Sequence, residues 1–105
     1  MLFMTAMEVQ LPQDMSQQAA DDLRARERER AHELQRAGKL RHIWRVAGRY
    51  ANVSIWDVDS VDELHNALTS FPMFPYLDIE VTALATHPSA LPAPPAWAGR
   101  DILRT

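Results

Sequence analysis

Glu27 is the residue in this chain best placed to move a proton. It lies in the run Arg24-Ala25-Arg26-Glu27-Arg28-Glu29-Arg30, which would read as a plain solvated helix face if Glu27 were not in it. On a helical wheel the apolar stripe of this segment is Ala20, Leu23, Ala31 and Leu34, and Glu27 falls at its centre. A carboxylate on a buried stripe loses hydration, which raises its pKa toward neutrality and suits it to general acid–base work. The plainer alternative is a core-edge glutamate paired to an arginine of the second or third strand. Arg24 lies on the edge of the stripe, three residues before Glu27, and its guanidinium suits a carboxylate in a bidentate grip; it also suits a weak surface pair with Glu27. Arg45, which projects from a central strand, competes with it for the same role, against a cross-strand ion pair.

The remaining polar candidates have weaker claims. His42 and His65 sit inside elements, and either could act in proton transfer, but a lone strand histidine is more often packed or hydrogen-bonded than catalytic. His32 and His87 read as surface and tail residues, and the scattered spacing of the four histidines argues against a metal site. Tyr50, Asn52 and Tyr76 are hydrogen-bond donors; their alternative roles are hairpin and sheet packing. Trp44, Trp56, Phe74 and the methionines are more often core than pocket, though an apolar cavity needs some of them as walls.

The elements that must position these residues follow from periodicity. Phe3, Met7, Val9 and Leu11 share one face of an alternating strand, with Leu2, Met4 and Ala6 on the other, and Pro12 ends it. Asp14 with Gln17 predicts a capping box for a helix from about Met15 to Ala37, closed by Gly38. A second strand is expected from Leu40 to Ala47, with Leu40, His42, Trp44 and Val46 on one face and Arg41, Ile43, Arg45 and Ala47 on the other. A tight turn near Gly48 and Arg49 leads to a third strand from Tyr50 to Val58. Ser60 with Glu63 caps a short helix that carries Leu64, Ala67 and Leu68 on one face, and Phe71 to Pro75 breaks it. A fourth strand covers Tyr76 to Leu84. The order β-α-β-β-α-β predicts a ferredoxin-like α+β fold: a four-stranded antiparallel sheet with two helices on one face, of the dimeric α+β barrel type. The other sheet face keeps apolar residues and needs a second subunit to cover it.

At 105 residues the chain is one domain with one small core. The expected division is residues 1–86 as the domain and 87–105 as a proline-rich tail, extended or packed on a neighbour, with Pro88, Pro92, Pro94 and Pro95 in it. The net charge of −3 argues against nucleic acid and anionic membranes as partners. The absence of cysteine removes disulfides and thiolate chemistry and is compatible with a cytoplasmic location. The apolar start lacks a basic region and a cleavage site, so no signal peptide is expected. No run approaches the roughly 20 apolar residues of a membrane span.

The chain resembles the muconolactone Δ-isomerase family. The likeness rests on Met1-Leu2-Phe3, the turn from Leu11-Pro12 to Asp14-Met15, Leu34-Gln35-Arg36 with Gly38, and Arg41-His42 followed by Trp44-Arg45. It continues through Ala47-Gly48, Tyr50-Ala51-Asn52, Ser54-Ile55, Asp57-Val58, Glu63-Leu64-His65, Phe74-Pro75-Tyr76, Asp78-Ile79-Glu80-Val81 and His87-Pro88-Ser89. Against the family pattern, Arg24 stands in place of lysine, Val53 in place of an aromatic residue and Trp56 in place of phenylalanine. The tail beyond Ser89 is also longer and richer in proline than the family pattern.

The resemblance implies sheet-to-sheet dimers assembled into a homodecamer, and a cofactor-independent cytoplasmic step of catechol degradation through the β-ketoadipate pathway. The implied reaction converts muconolactone to 3-oxoadipate enol-lactone by moving a proton from C4 to C2 of the lactone. That chemistry needs a base that becomes the acid, donors for the dienolate oxygen and a cation for the substrate carboxylate. Glu27 is expected as the acid–base group and Arg24 or Arg45 as the anchor, with Tyr50, Asn52, His42 and Tyr76 as further substrate-binding residues. No metal and no cofactor are expected. The alternatives are isomerisation of a methyl-substituted muconolactone, a cofactorless monooxygenase of the same fold, and a non-catalytic oligomeric lactone-binding module.

Overall fold

A computed structural model of the chain describes residues 1–92. The elements are β1 (Leu2–Val9), α1 (Gln17–Arg36), β2 (Leu40–Arg45), β3 (Ala51–Asp57), α2 (Val61–Thr69) and β4 (Leu77–Leu84), in the expected order. The sheet order is β2-β3-β1-β4, and every neighbouring pair is antiparallel. This is the ferredoxin-like arrangement.

One face of the sheet meets both helices. Phe3 and Met7 of β1, Leu40 of β2 and Trp56 of β3 pack with Leu34 of α1 and with Leu64, Ala67 and Leu68 of α2. Trp56 is fully buried, and its indole N–H donates to Thr5 Oγ1 at 2.9 Å, so the polar atoms of this core are paired with each other. Phe71 meets Trp56 edge to face at 6.2 Å between ring centres.

The strand faces depart from simple alternation at one point. Leu40 pairs with Trp56 and His42 with Ile55, so Arg41 is an extra residue in the ladder. This bulge turns Leu40 inward with Ile43 and Arg45, whereas alternation puts it with His42 and Trp44. The apolar Leu40 becomes 2% exposed, and Arg41 points to solvent beside Asp57 at 3.6 Å. The two strands are also shorter than expected, ending at Arg45 and beginning at Ala51. Between them Arg49 N–H bonds the Val46 carbonyl at 3.1 Å, and Gly48 takes the positive φ that the turn demands.

Both helix starts are capped, and the first differs from expectation. The N-cap of α1 is Ser16, not Asp14, with its hydroxyl accepting from Ala19 N–H at 3.1 Å. Pro12 explains the shift. Its carbonyl accepts from Met15 N–H, which makes residues 12–15 a turn and delays the helix. At the other end Lys39 N–H bonds the Leu34 carbonyl and Gly38 N–H bonds that of Gln35, with Gly38 left-handed at φ 76°. This double bond is the Schellman closure expected of that glycine. For α2 the expected cap holds: Ser60 accepts from Glu63 N–H at 3.1 Å. Tyr76, expected in β4, instead closes a short 3-10 turn at Phe74–Tyr76.

The opposite sheet face carries Met4, Ala6, Trp44, Val53 and Ile55, with His42 stacked on Trp44 at 5.2 Å. Each of the five is only partly buried, and no element of the described residues lies over them. The expected tail begins in an exposed stretch and from residue 93 onward lies outside the described residues. No helix of the described residues is long and apolar enough to cross a membrane.

The two candidate caps separate in a stability test. Ser16→Ala is expected to cost about 1 kcal/mol in urea unfolding, the usual worth of an N-cap, while Asp14→Ala leaves the midpoint unchanged. Equal losses from the two variants would contradict the Ser16 assignment.

Candidate active site

A cavity of about 390 Å³ opens between α1 and the inner face of β2 and β3. The helix supplies Arg24, Glu27, Arg28, Ala31, His32 and Gln35 to its wall. These positions recur at intervals of three and four, so they are one edge of α1. The strands supply Ile43, Arg45 and Asn52, with Arg45 and Asn52 directly paired across the ladder. Tyr50 stands at the end of the β2–β3 turn, and Met73 closes the wall from the α2–β4 connection. A smaller cavity of about 80 Å³ lies on the core side of Glu27 and shares Glu27, Ala31, Ile43 and Asn52 with the larger one; Ser54, Trp56 and Phe71 are among its walls.

Glu27 sits where its sequence position predicts, half-buried among the stripe residues. Loss of hydration pushes its carboxyl above the ordinary carboxylate range, and a hydrogen bond from Met73 N–H opposes this without cancelling it. That bond is 2.9 Å long and goes to Oε1. Oε2 takes no hydrogen bond from the described residues. The expected alternative, an ion pair to an arginine of β2 or β3, does not occur among the described residues. Glu27 is therefore an anchored carboxylate with one oxygen free to exchange a proton.

The arginines gather around Tyr50. Arg24 Nε–H donates to the Tyr50 hydroxyl oxygen at 3.1 Å, and its guanidinium carbon lies 5.8 Å from the ring centre. The Arg45 guanidinium lies 5.3 Å from the same ring. Arg24 also pairs with Asp21 at 3.2 Å, not with Glu27. The bond to Tyr50, then the attraction of Tyr50 and Asp21, hold the Arg24 guanidinium more firmly protonated. With Arg28 the cavity wall has three guanidinium groups against the single carboxylate of Glu27. The local field thus favours an anion although the whole chain is net negative.

Two further groups are oriented as donors. Ser54 Oγ–H donates to Asn52 Oδ1 at 3.0 Å, which leaves the Asn52 amide hydrogens for the cavity. The Tyr50 hydroxyl accepts from Arg24, which leaves its own proton to donate. The site therefore offers a base, cations and neutral donors around one space.

Of the seven residues expected at a site, five meet here: Glu27, Arg24, Arg45, Tyr50 and Asn52. His42 does not, because alternation after the Arg41 bulge puts it on the opposite sheet face. Tyr76 does not either; its carbonyl accepts from Gln10 N–H at 2.8 Å and joins the start of β4 to the end of β1. His32, expected at the surface, lines the cavity, as do Arg28 and Gln35. Steps of four and three residues from Arg24, through Arg28 and His32 to Gln35, would have found them. Met73 leaves no such trace, because its polar contribution is a backbone N–H. Val53 lies away from the cavity on the outer face, whereas Trp56 walls the inner one. Among the described residues no group of three His, Asp or Glu side chains is placed to hold a metal ion.

The sequence model for muconolactone delta-isomerase matches residues 1–90. The chain is 53% identical over 93 residues to the muconolactone Delta-isomerase of Pseudomonas aeruginosa, covering 89% of this chain and 97% of that protein. It is 46% identical over 88 residues to the corresponding protein of Rhodococcus opacus, covering 84% and 95%. The fold superposes on a crystal structure of muconolactone isomerase with a TM-score of 0.84 at 51% identity, over 90% of this chain and 98% of that one.

The raised Glu27 pKa has a signed effect on stability. The native state holds the Glu27 proton to higher pH than the unfolded chain does, so this group's contribution is full below the ordinary carboxylate range and is lost as pH rises through the native value. Glu27→Gln removes the charge and keeps an oxygen for Met73 N–H. It is expected to be more stable than the parent at pH 8 in urea unfolding, with the gap closing by about pH 4. A gap that stays constant with pH would show that the carboxyl is not perturbed.

Proposed function

The chain belongs to the muconolactone Δ-isomerase family and is an isomerase, and we propose that Glu27 carries the 1,3-proton shift that turns muconolactone into 3-oxoadipate enol-lactone. The observation that carries this is the Glu27 carboxyl itself: half-buried, raised in pKa, anchored through Oε1 and open at Oε2 toward a cavity lined by cations. Such a carboxylate can take the C4 proton as a base and return it at C2 as an acid, since its pKa lies nearer to neutrality than that of a solvated one. Removal of the C4 proton leaves a dienolate with its charge on the lactone carbonyl oxygen. The Asn52 amide and the Tyr50 hydroxyl are the neutral donors for that oxygen. The substrate carboxymethyl group carries a full negative charge in both substrate and product. Arg45 and Arg24 answer it with charge-assisted hydrogen bonds, which anchor the lactone without taking part in the proton shift.

The inner cavity of about 80 Å³ supports a second reading. It gives a ring substituent room beneath Glu27, so a methyl-substituted muconolactone is the alternative substrate. Relative kcat/KM on the two lactones decides between them.

The assembly belongs to this proposal as well. The uncovered face with Met4, Ala6, Trp44, Val53 and Ile55 suits a second copy laid sheet to sheet, because a monomer rarely leaves so continuous an apolar face in water. Five such dimers would make a decamer working in the cytoplasm, with residues 1–86 as the catalytic domain and residues 87–105 as an appended tail. Light scattering is expected to give the mass of ten chains; a monomer mass would remove this part of the proposal.

Purified protein is expected to convert muconolactone, followed by ultraviolet absorbance, and absence of turnover would sink the proposal. Glu27→Gln is expected to lower kcat by about 10²- to 10⁴-fold, the usual contribution of an acid–base group. Arg45→Ala is expected to raise KM by about tenfold or more with a smaller effect on kcat, as loss of a charge-assisted bond to a group unchanged in the reaction should. A Glu27→Gln enzyme with full rate would leave the isomerase standing and remove the base.

A further inference from the structure

Helix α1 grips the α2–β4 connection at two points one turn apart. At the first, Glu27 Oε1 accepts from Met73 N–H at 2.9 Å. At the second, Arg30 Nε–H donates to Ser70 Oγ at 2.8 Å. The Arg30 guanidinium is braced from behind by Glu33, whose Oε2 accepts from Nη1 at 2.9 Å. Ser70 in turn donates its hydroxyl proton to the Ala67 carbonyl at 2.6 Å, which ties the contact to the last turn of α2. Arg30 therefore holds the residue at which α2 stops.

Only Phe71 and Pro72 separate Ser70 from Met73. Phe71 is buried against Trp56, and Pro72 has a fixed φ. Beyond Met73, Tyr76 N–H bonds the Met73 carbonyl at 2.8 Å and Phe74 N–H bonds that of Phe71 at 2.9 Å. The segment is stiff, so where Ser70 is held decides where the Met73 amide points. Arg30 is not among the residues that line the cavity.

We propose that Arg30, acting through Ser70, is a positioning residue that keeps the Met73 amide on Glu27 Oε1 and so sets both the direction and the proton affinity of the base. The inference rests on Glu27 being that base. With the grip released, the 70–73 segment moves away from α1 and the carboxylate loses the donor that favours its charged form. Burial alone then acts on it. Glu27 keeps its proton to higher pH, and its free oxygen is less well aimed.

The test compares the pH dependence of kcat and KM for the parent, Arg30→Ala, Ser70→Ala, the double variant and Arg30→Lys. A further variant replaces Met73 by its α-hydroxy analogue, which deletes the N–H and keeps the side chain. Loss of one hydrogen bond to a carboxylate is expected to move the acid limb of kcat upward by as much as about one pH unit. KM is expected to stay within about twofold, since every side chain that lines the cavity is kept. The double variant should be no worse than the worse single variant, and Arg30→Lys should restore part of the profile. The ester variant should reproduce the shift. A folded Arg30→Ala enzyme of parental assembly mass with the parental acid limb overturns the proposal. Should Arg30→Ala fail to fold, a parental acid limb in Ser70→Ala beside a shifted ester variant overturns it equally, and leaves Glu27 as the base. Full activity in Glu27→Gln overturns it by removing its premise.

Discussion

A carboxylate on the inward stripe of α1 is the constraint on which the rest of this structure depends. Burial disfavours its charge, and an ion pair to an arginine of the sheet would suppress its basicity. The chain takes neither extreme. One backbone amide, from Met73, supports the charge in part, and the remaining desolvation keeps the carboxyl above its ordinary range. The connection between α2 and β4 is built to deliver that amide. Two prolines, a buried Phe71 and a 3-10 turn leave it little freedom.

The same economy recurs across the cavity. Asn52, Tyr50 and Glu27 each make one internal bond that decides which end remains for a ligand. Ser54 occupies the oxygen of Asn52 and leaves its amide hydrogens. Arg24 occupies the oxygen of Tyr50 and leaves its proton. Met73 occupies one oxygen of Glu27 and leaves the other. Donors and acceptor are oriented before a substrate arrives, so little reorganisation is required when charge develops on the lactone. The pair of guanidiniums beside Tyr50 adds a local positive field that the overall charge of −3 conceals.

The sheet separates two tasks by the parity of its strands. Inward positions of β2 and β3 carry Ile43, Arg45 and Asn52 to the cavity, while outward positions carry Trp44, Val53 and Ile55 to the uncovered face. Parity alone would misplace Leu40. The extra residue at Arg41 lets an apolar side chain enter the core at the strand's start without reversing the faces that follow. This bulge also fixes His42 on the far side from the chemistry, where it stacks on Trp44.

The amino-acid sequence alone carried the element order, the sheet's antiparallel plan, the Gly38 closure of α1, the Ser60 cap of α2 and the anomalous place of Glu27. These features are written in short-range periodicity and in residue types with specific backbone needs, and both can be read along the chain. It also carried the family likeness, because side chains of both faces and all turns were present to be compared. Folding settled that Ser16 caps α1, that Arg41 is a bulge, and that His42 and Tyr76 leave the site. Those outcomes turn on which neighbour competes for a hydrogen bond or a buried volume. The Met73 amide is the clearest case. Every residue except proline carries an N–H, so no side chain announces the one that Glu27 uses, and a contact 46 positions away in the chain exists only once the fold has closed.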